Sequence, residues 1–201
     1  MFLASIGFLT VIVFEFSFLS LVYRIFIPGI NVPSFSTLLT IQINRFRKGD
    51  RPAYAIVTGP TSGIGKSYAM ALAKKGFNLI LVSRSKEKLE SLESEIKVKA
   101  PNIDMRLVDV DMAEYPLGRK YAETLKDVAL NRGDIRVLIN NAGRSHDMPV
   151  TFEDTNEEEM EGIVGVNTGG VLRATKEALP YLLSDSYSPL KTPLIIGRRR
   201  D

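Results

Sequence analysis

The sequence has no cysteine and a single histidine, His146. Without cysteine there is no disulfide-stapled secreted module and no thiolate metal site, and one imidazole excludes a multi-histidine metal centre. A strong excess of either charge is also missing: 26 Lys and Arg stand against 23 Asp and Glu, a net +3. That balance is too slight to argue for nucleic-acid binding. No internal repeat or low-complexity tract interrupts the chain, and its 201 residues suffice for one domain plus an appendage.

What is present is unevenly spread. Eight of the ten Phe precede residue 50. Phe2 to Tyr23 is a stretch of 22 residues with one charged side chain, Glu15. As a helix it would extend roughly 33 Å, against a hydrocarbon core of about 30 Å. Fourteen of these residues are Phe, Leu, Ile or Val, and together they favour insertion by roughly 6 kcal/mol. A central carboxylate opposes insertion by roughly 3 kcal/mol. A cleaved signal fits less well, because no basic residue precedes the run and no small-residue cleavage site closes it. The expectation is a transmembrane anchor over residues 1–27. Arg24, Arg45, Arg47, Lys48 and Arg51 all follow the apolar stretch Phe2–Tyr23, so the positive-inside bias puts the remainder in the cytoplasm. Pro28-Gly29 and Pro33 make residues 28–52 a juxtamembrane linker. The cluster from Arg45 to Arg51 is placed to meet the anionic headgroups of a lipid bilayer.

From residue 53 to 201 strand and helix patterns alternate. Apolar runs at Tyr54–Val57, Leu79–Val82, Met105–Val110, Val137–Ile139 and Leu194–Ile196 read as buried strands. Between them, Tyr68–Lys75, Lys86–Val98, Tyr121–Leu130 and Glu157–Leu183 read as helices, the first closed by Gly76. This order predicts an α/β fold, a Rossmann-type doubly wound parallel sheet of about five strands.

The chemistry concentrates at the strand ends. Thr58-Gly-Pro-Thr-Ser-Gly-Ile-Gly65 lies directly between the first strand and the first helix. There, Gly59, Thr61, Ser62, Gly63, Ile64 and Gly65 are candidates to cradle a dinucleotide pyrophosphate. Gly59 makes the turn, Gly63 admits the phosphates, and Gly65 allows close helix–strand packing. The second strand ends in Ser83-Arg84-Ser85-Lys86, where an NAD site usually carries an acid for the ribose 2′-hydroxyl. Ser83 and Arg84 suit a 2′-phosphate instead, so the expected cofactor is NADPH.

Three motifs in order, the TGxxxGIG loop, Asp109-Val110 and Asn140-Asn-Ala-Gly143, closely resemble the short-chain dehydrogenase/reductases. The resemblance implies that Asp109 contacts the adenine ring. It also implies that Asn140, Asn141, Ala142 and Gly143 line the adenosine side of the pocket. Asn167 is similar to a family asparagine that holds a water in a proton relay, which makes it the candidate catalytic residue. Ile27-Pro-Gly29, Gly76–Arg84 and Ser145–Val150 resemble, more narrowly, the membrane-bound very-long-chain 3-oxoacyl-CoA reductases, a group that includes 17β-hydroxysteroid dehydrogenases. That resemblance implies a single-pass protein of the endoplasmic reticulum membrane with its soluble domain in the cytoplasm. Its substrate would be a 3-oxoacyl-CoA or a steroid, and its partners other fatty-acid elongation enzymes. A lone His such as His146 is expected to be a structural hydrogen-bonder.

The same resemblance calls for a Ser after the fifth strand and then Tyr-x-x-x-Lys. This sequence reads Gly-Arg-Arg-Arg-Asp there, and Tyr187-Ser-Pro-Leu-Lys191 precedes the strand with Pro189 inside the spacing. The expectation is a C-terminally truncated domain, inactive as written. A hydroxysteroid dehydrogenase, or a non-catalytic, membrane-anchored nucleotide-binding protein, is the alternative.

Overall fold

The computed structural model describes residues 51–114, 117–146, 148–149, 151–184 and 194–197. The chain divides into two units, Met1–Arg45 and Phe46–Asp201, and every described residue belongs to the second. The expected membrane span, its basic flank up to Lys48 and the pair Tyr187–Lys191 lie outside the described residues. Among the described residues, no helix is long and apolar enough to cross a membrane.

Five parallel strands form one sheet: β1 (Ala53–Thr58), β2 (Asn78–Ser83), β3 (Met105–Asp109), β4 (Asp134–Asn140) and β5 (Leu194–Gly197), in spatial order β3-β2-β1-β4-β5. The helices are α1 (Gly63–Lys74), α2 (Lys86–Lys99), α3 (Arg119–Asp127), α4 (Glu157–Val164) and α5 (Val171–Leu182). The fold is therefore a Rossmann-like α/β sheet. All six residues of β1 and all seven of β4 are buried, as expected of strands covered on both faces. Alternation along the strands divides the core. Tyr54, Ile56, Ile80, Val82, Val108 and Leu138 pack with Tyr121 and Leu125 of α3 and with Ala174 and Ala178 of α5. The alternate positions, Ala55, Val57, Leu79 and Leu81, are also fully buried and face the side taken by α1 and α2.

Several boundaries differ from the sequence reading. Helix α1 begins at Gly63, because the loop glycines themselves form its first turn. Strand β4 starts at Asp134, three residues before the apolar run, since its first half buries the polar Asp134 and Arg136. The expected helix Glu157–Leu183 is α4 and α5 joined by a π-helical stretch, Gly165–Gly170. Such stretches recur at functional sites, and this one contains Asn167.

Asp134 and Arg136 form an ion pair at 2.5 Å with side chains 6% and 2% exposed. Arg51, where the chain enters the domain, lies 3.4 Å from the other Asp134 oxygen. Taking one partner from a buried pair leaves a desolvated charge behind. Arg136→Met is expected to lower stability by about 3 kcal/mol, read from urea melts. A shift under about 0.5 kcal/mol would show that the pair contributes nothing net.

Candidate functional site

The connections from β1 and β4 run to opposite sides of the sheet, so their carboxyl ends flank a crevice. Open α/β sheets bind ligands at such a switch point. A cavity of about 380 Å³ lies there, lined by the loop after β1, the end of β2, the residues after β3 and the loop after β4.

The loop after β1 is shaped by close approach. Gly59 has φ +62°, and a Cβ on it would stand 2.8 Å from the Ala142 Cα. A Cβ on Gly65 would stand 2.2 Å from the Gly59 carbonyl oxygen and 2.3 Å from Asn141 Nδ2. Gly65 thus makes room for the loop and for Asn141, rather than only for helix–strand packing. Gly63 has φ +52° and open space beside its Cα. Thr61, Ser62, Gly63 and Ile64 line the cavity with Gly59. Ser62 occupies the α1 N-cap without a side-chain bond to the helix, and no acid stands in the first turn. The leading N–H groups and the positive end of the helix dipole therefore face the cavity uncompensated, which suits an anion.

Asn141 ties this loop to β4. Its Nδ2 donates to the carbonyl oxygens of Thr58 and Gly59 at 3.2 and 2.8 Å, and its backbone N–H donates to Thr58 Oγ1 at 3.1 Å. Ala142 N–H donates to the same hydroxyl at 3.0 Å. Asn141, Ala142 and Gly143 line the cavity.

At the end of β2, Ser83 and Arg84 line the cavity together with Ser85 and Lys88. Lys88 lies one turn beyond Arg84, inside a charged run that reads in sequence as a solvated helix face. Ser85 Oγ caps α2 by accepting from Lys88 N–H at 3.4 Å, and it donates to Glu87 Oε2 at 3.1 Å. Glu87 is held below the usual carboxylate range by its own backbone N–H and by Ser85. Glu87 does not line the cavity, so this end of it presents two cations and no carboxylate.

Two expected contacts are placed differently. Asp109, the last residue of β3, pairs with Lys120 outside the cavity lining. Asp111, two residues on, lines the cavity and accepts from Ala113 N–H at 2.9 Å. Acids flank Val110 on both sides, and spacing alone does not choose between them. Asn140 ends β4 facing α5, where its Nδ2 donates to Thr175 Oγ1 at 3.0 Å. It lines a separate cavity of about 240 Å³ with Ile64, Tyr68 and Ile196, and not the main one.

Asn167 does not line the main cavity, but its neighbour Val166 does. The Asn167 amide pairs with the backbone of Arg144, accepting from the N–H at 2.9 Å and donating to the carbonyl at 2.8 Å. It thereby holds the loop after β4 against the π-helical stretch. His146 Nδ1 lies 3.0 Å from Glu159 Oε1 at the start of α4. Among the described residues, no group of three or more acidic or histidine side chains is arranged to hold a metal ion.

A profile of the short-chain dehydrogenases matches residues 53–188, which contain the loop, the cavity and Asn167. The chain belongs to the short-chain dehydrogenase family. Among curated members it is similar to the very-long-chain 3-oxoacyl-CoA reductase of Mycosarcoma maydis, 39% identical over 90% of this chain and 49% of the relative. It is likewise similar to the reductase of that name from Coccidioides immitis, 41% identical over 83% of this chain and 44% of the relative. The chain spans about half the length of these short-chain dehydrogenases. Among solved structures it resembles a short-chain dehydrogenase from Sphingobium yanoikuyae in complex with NADPH. That match has TM-score 0.58 at 25% identity, covering 73% of this chain and 52% of the other. It also resembles a 3-oxoacyl-[acyl-carrier protein] reductase from Brucella melitensis in complex with NAD. Here the TM-score is 0.61 at 26% identity, with 75% of this chain and 56% of the other covered. Solved short-chain dehydrogenases of this fold thus hold NADPH in one case and NAD in the other.

Proposed function

We propose that this chain carries the NADPH-binding part of a membrane-anchored reductase of very-long-chain 3-oxoacyl-CoA in fatty-acid elongation. The observation that carries the cofactor assignment is the pairing of Arg84 with Lys88 at the cavity, with Glu87 turned away to Ser85. The substrate assignment rests on the names of the curated relatives. When bound, NADPH supplies a hydride to the substrate carbonyl. The residues of this chain bind and orient. The α1 N-terminus and the Gly59–Gly65 loop hold the pyrophosphate through backbone N–H groups. Arg84 and Lys88 grip the 2′-phosphate, which Arg can meet with two parallel bonds. Asp111, in place of the expected Asp109, meets the adenine end beside Val110. Asn167 acts as a positioning residue for the loop after β4.

Two experiments test this reading. A polypeptide of residues 1–201 should bind NADPH in a fluorescence titration, yet give a flat NADPH absorbance trace with 3-oxoacyl-CoA or a steroid ketone. Extension through a downstream frame carrying Ser and Tyr-x-x-x-Lys should confer 3-oxoacyl-CoA turnover. Preference for the steroid ketone would move the assignment to a hydroxysteroid dehydrogenase. For the anchor, residues 1–27 should keep the protein in membranes of the endoplasmic reticulum through alkaline carbonate extraction, with added protease destroying the dinucleotide-binding part in sealed microsomes. Release by carbonate would refute the span, and protection would refute the cytoplasmic orientation.

A further inference from the structure

The cavity wall that follows β3 is a short irregular segment, Val110 to Ala113, and something must hold it in register with the other walls. The Asp111 side chain closes a local turn by accepting from Ala113 N–H at 2.9 Å. The segment also lies unusually close to the π-helical stretch. A Cβ on Gly170 would stand 2.6 Å from the Met112 carbonyl oxygen, and one on Gly165 would stand 3.3 Å from the Ala113 Cβ. Across that contact lies Arg173, in the first turn of α5. Its Nη2 donates to the carbonyl oxygens of Met112 at 3.2 Å, Ala113 at 3.2 Å and Gly165 at 3.3 Å. One cation therefore joins two carbonyls of the cavity wall to one of the helix.

The guanidinium reaches them by crossing the helix backbone one turn back, where a Cβ on Gly169 would stand 2.7 and 2.8 Å from its Nη1 and Nη2. Gly169 is thus the slot through which Arg173 passes. A cation on three backbone carbonyls makes charge-assisted bonds, roughly twice as strong as neutral ones.

We propose that Arg173 is a positioning residue that locks the adenosine-side wall of the cofactor cavity, Met112 and Ala113, to the π-helical stretch, with Gly169 as its seat. The proposal rests on the NADPH reading given above. It separates from a merely structural role because the clamp can be removed from either end. Arg173→Met deletes the guanidinium. Gly169→Ala displaces it from its slot while adding a better helix former, so the helix itself is not weakened.

The experiment measures NADPH and 2′,5′-ADP affinities of the full chain, with circular-dichroism melts as the folding control. Arg173→Met and Gly169→Ala should each weaken both ligands by about tenfold, as loss of charged hydrogen bonds implies. The double variant should be no worse than either single one, because both remove one clamp. If Arg173→Met fails to fold, Gly169→Ala and its 2′,5′-ADP affinity decide the matter. Unchanged affinities overturn the proposal, as does a loss confined to NADPH or a double variant whose losses add. A wild-type chain that binds neither ligand overturns the NADPH reading and this proposal together, whereas tight wild-type binding with unaffected variants overturns the proposal alone.

Discussion

A Gly65→Val chain is expected to lose both stability and NADPH binding, the affinity falling by a hundredfold or more. The Cβ would stand 2.2 Å from a backbone carbonyl, that of Gly59, and 2.3 Å from the Asn141 amide that fastens the loop. Neither group can yield without moving the loop or breaking its tie to β4. Overpacking of this kind costs roughly 1–3 kcal/mol where neighbours adjust, and more where they are backbone. Gly63 provides the contrast. Its φ of +52° is one that Asn tolerates, and the space beside it is open. Gly63→Asn should therefore keep its melting temperature within a few degrees of wild type and still lose NADPH affinity, because the added side chain enters space assigned to the phosphates. Paired melts and titrations separate the two. Equal melting temperatures for Gly65→Val and wild type would contradict the packing argument. Undiminished binding by Gly63→Asn would remove the pyrophosphate from this loop.

Arg84→Ala should weaken NADPH by about ten- to a hundredfold while changing NADH by no more than about threefold. The estimate is the worth of hydrogen bonds to a charged group, roughly 1.5–3 kcal/mol. Lys88→Ala should weaken NADPH by a smaller factor, because an ammonium engages a phosphate as a point charge rather than a planar fork. Both effects should shrink with added salt, since the two cations stand at a solvent-accessible rim. Arg84→Glu should go further and reverse the preference, placing a carboxylate where the ribose 2′-hydroxyl of NADH can use it. Equal losses of NADPH and NADH on Arg84→Ala would refute the 2′-phosphate assignment. The anchored reductase reading would then lack its cofactor argument.

Much of this was legible in the amino-acid order, for a definable reason. Strands buried on both faces must be continuous apolar runs, so Tyr54–Val57 and Leu79–Val82 announced themselves. Their alternation with amphipathic segments determined a parallel α/β sheet. The glycine loop was equally plain, because Gly59 and Gly65 are demanded by contacts between backbones that no other residue permits. Arg84 stood out as a candidate because an absence, the missing acid at the end of β2, has a chemical meaning, and it does line the cavity. What the sequence by itself determined was therefore whatever depends on local period or on a residue type without substitute.

Tertiary structure decided the rest. That Asp109 pairs with Lys120 of α3 while Asp111 lines the cavity follows from where α3 packs, not from the spacing of the two acids. Lys88 came to the cavity because α2 turns one helical repeat after Arg84, and Asn140 left it because α5 offered Thr175. Arg136 is a charged residue in the interior of β4, hidden from any search for apolar runs and accounted for by Asp134, its 2.5 Å ion-pair partner. Arg173 shows the limit most clearly. Its partners at Met112 and Ala113 lie about sixty residues away in the chain and are backbone carbonyls. Every residue carries such a carbonyl, so no side-chain pattern marks the ones a distant cation will hold.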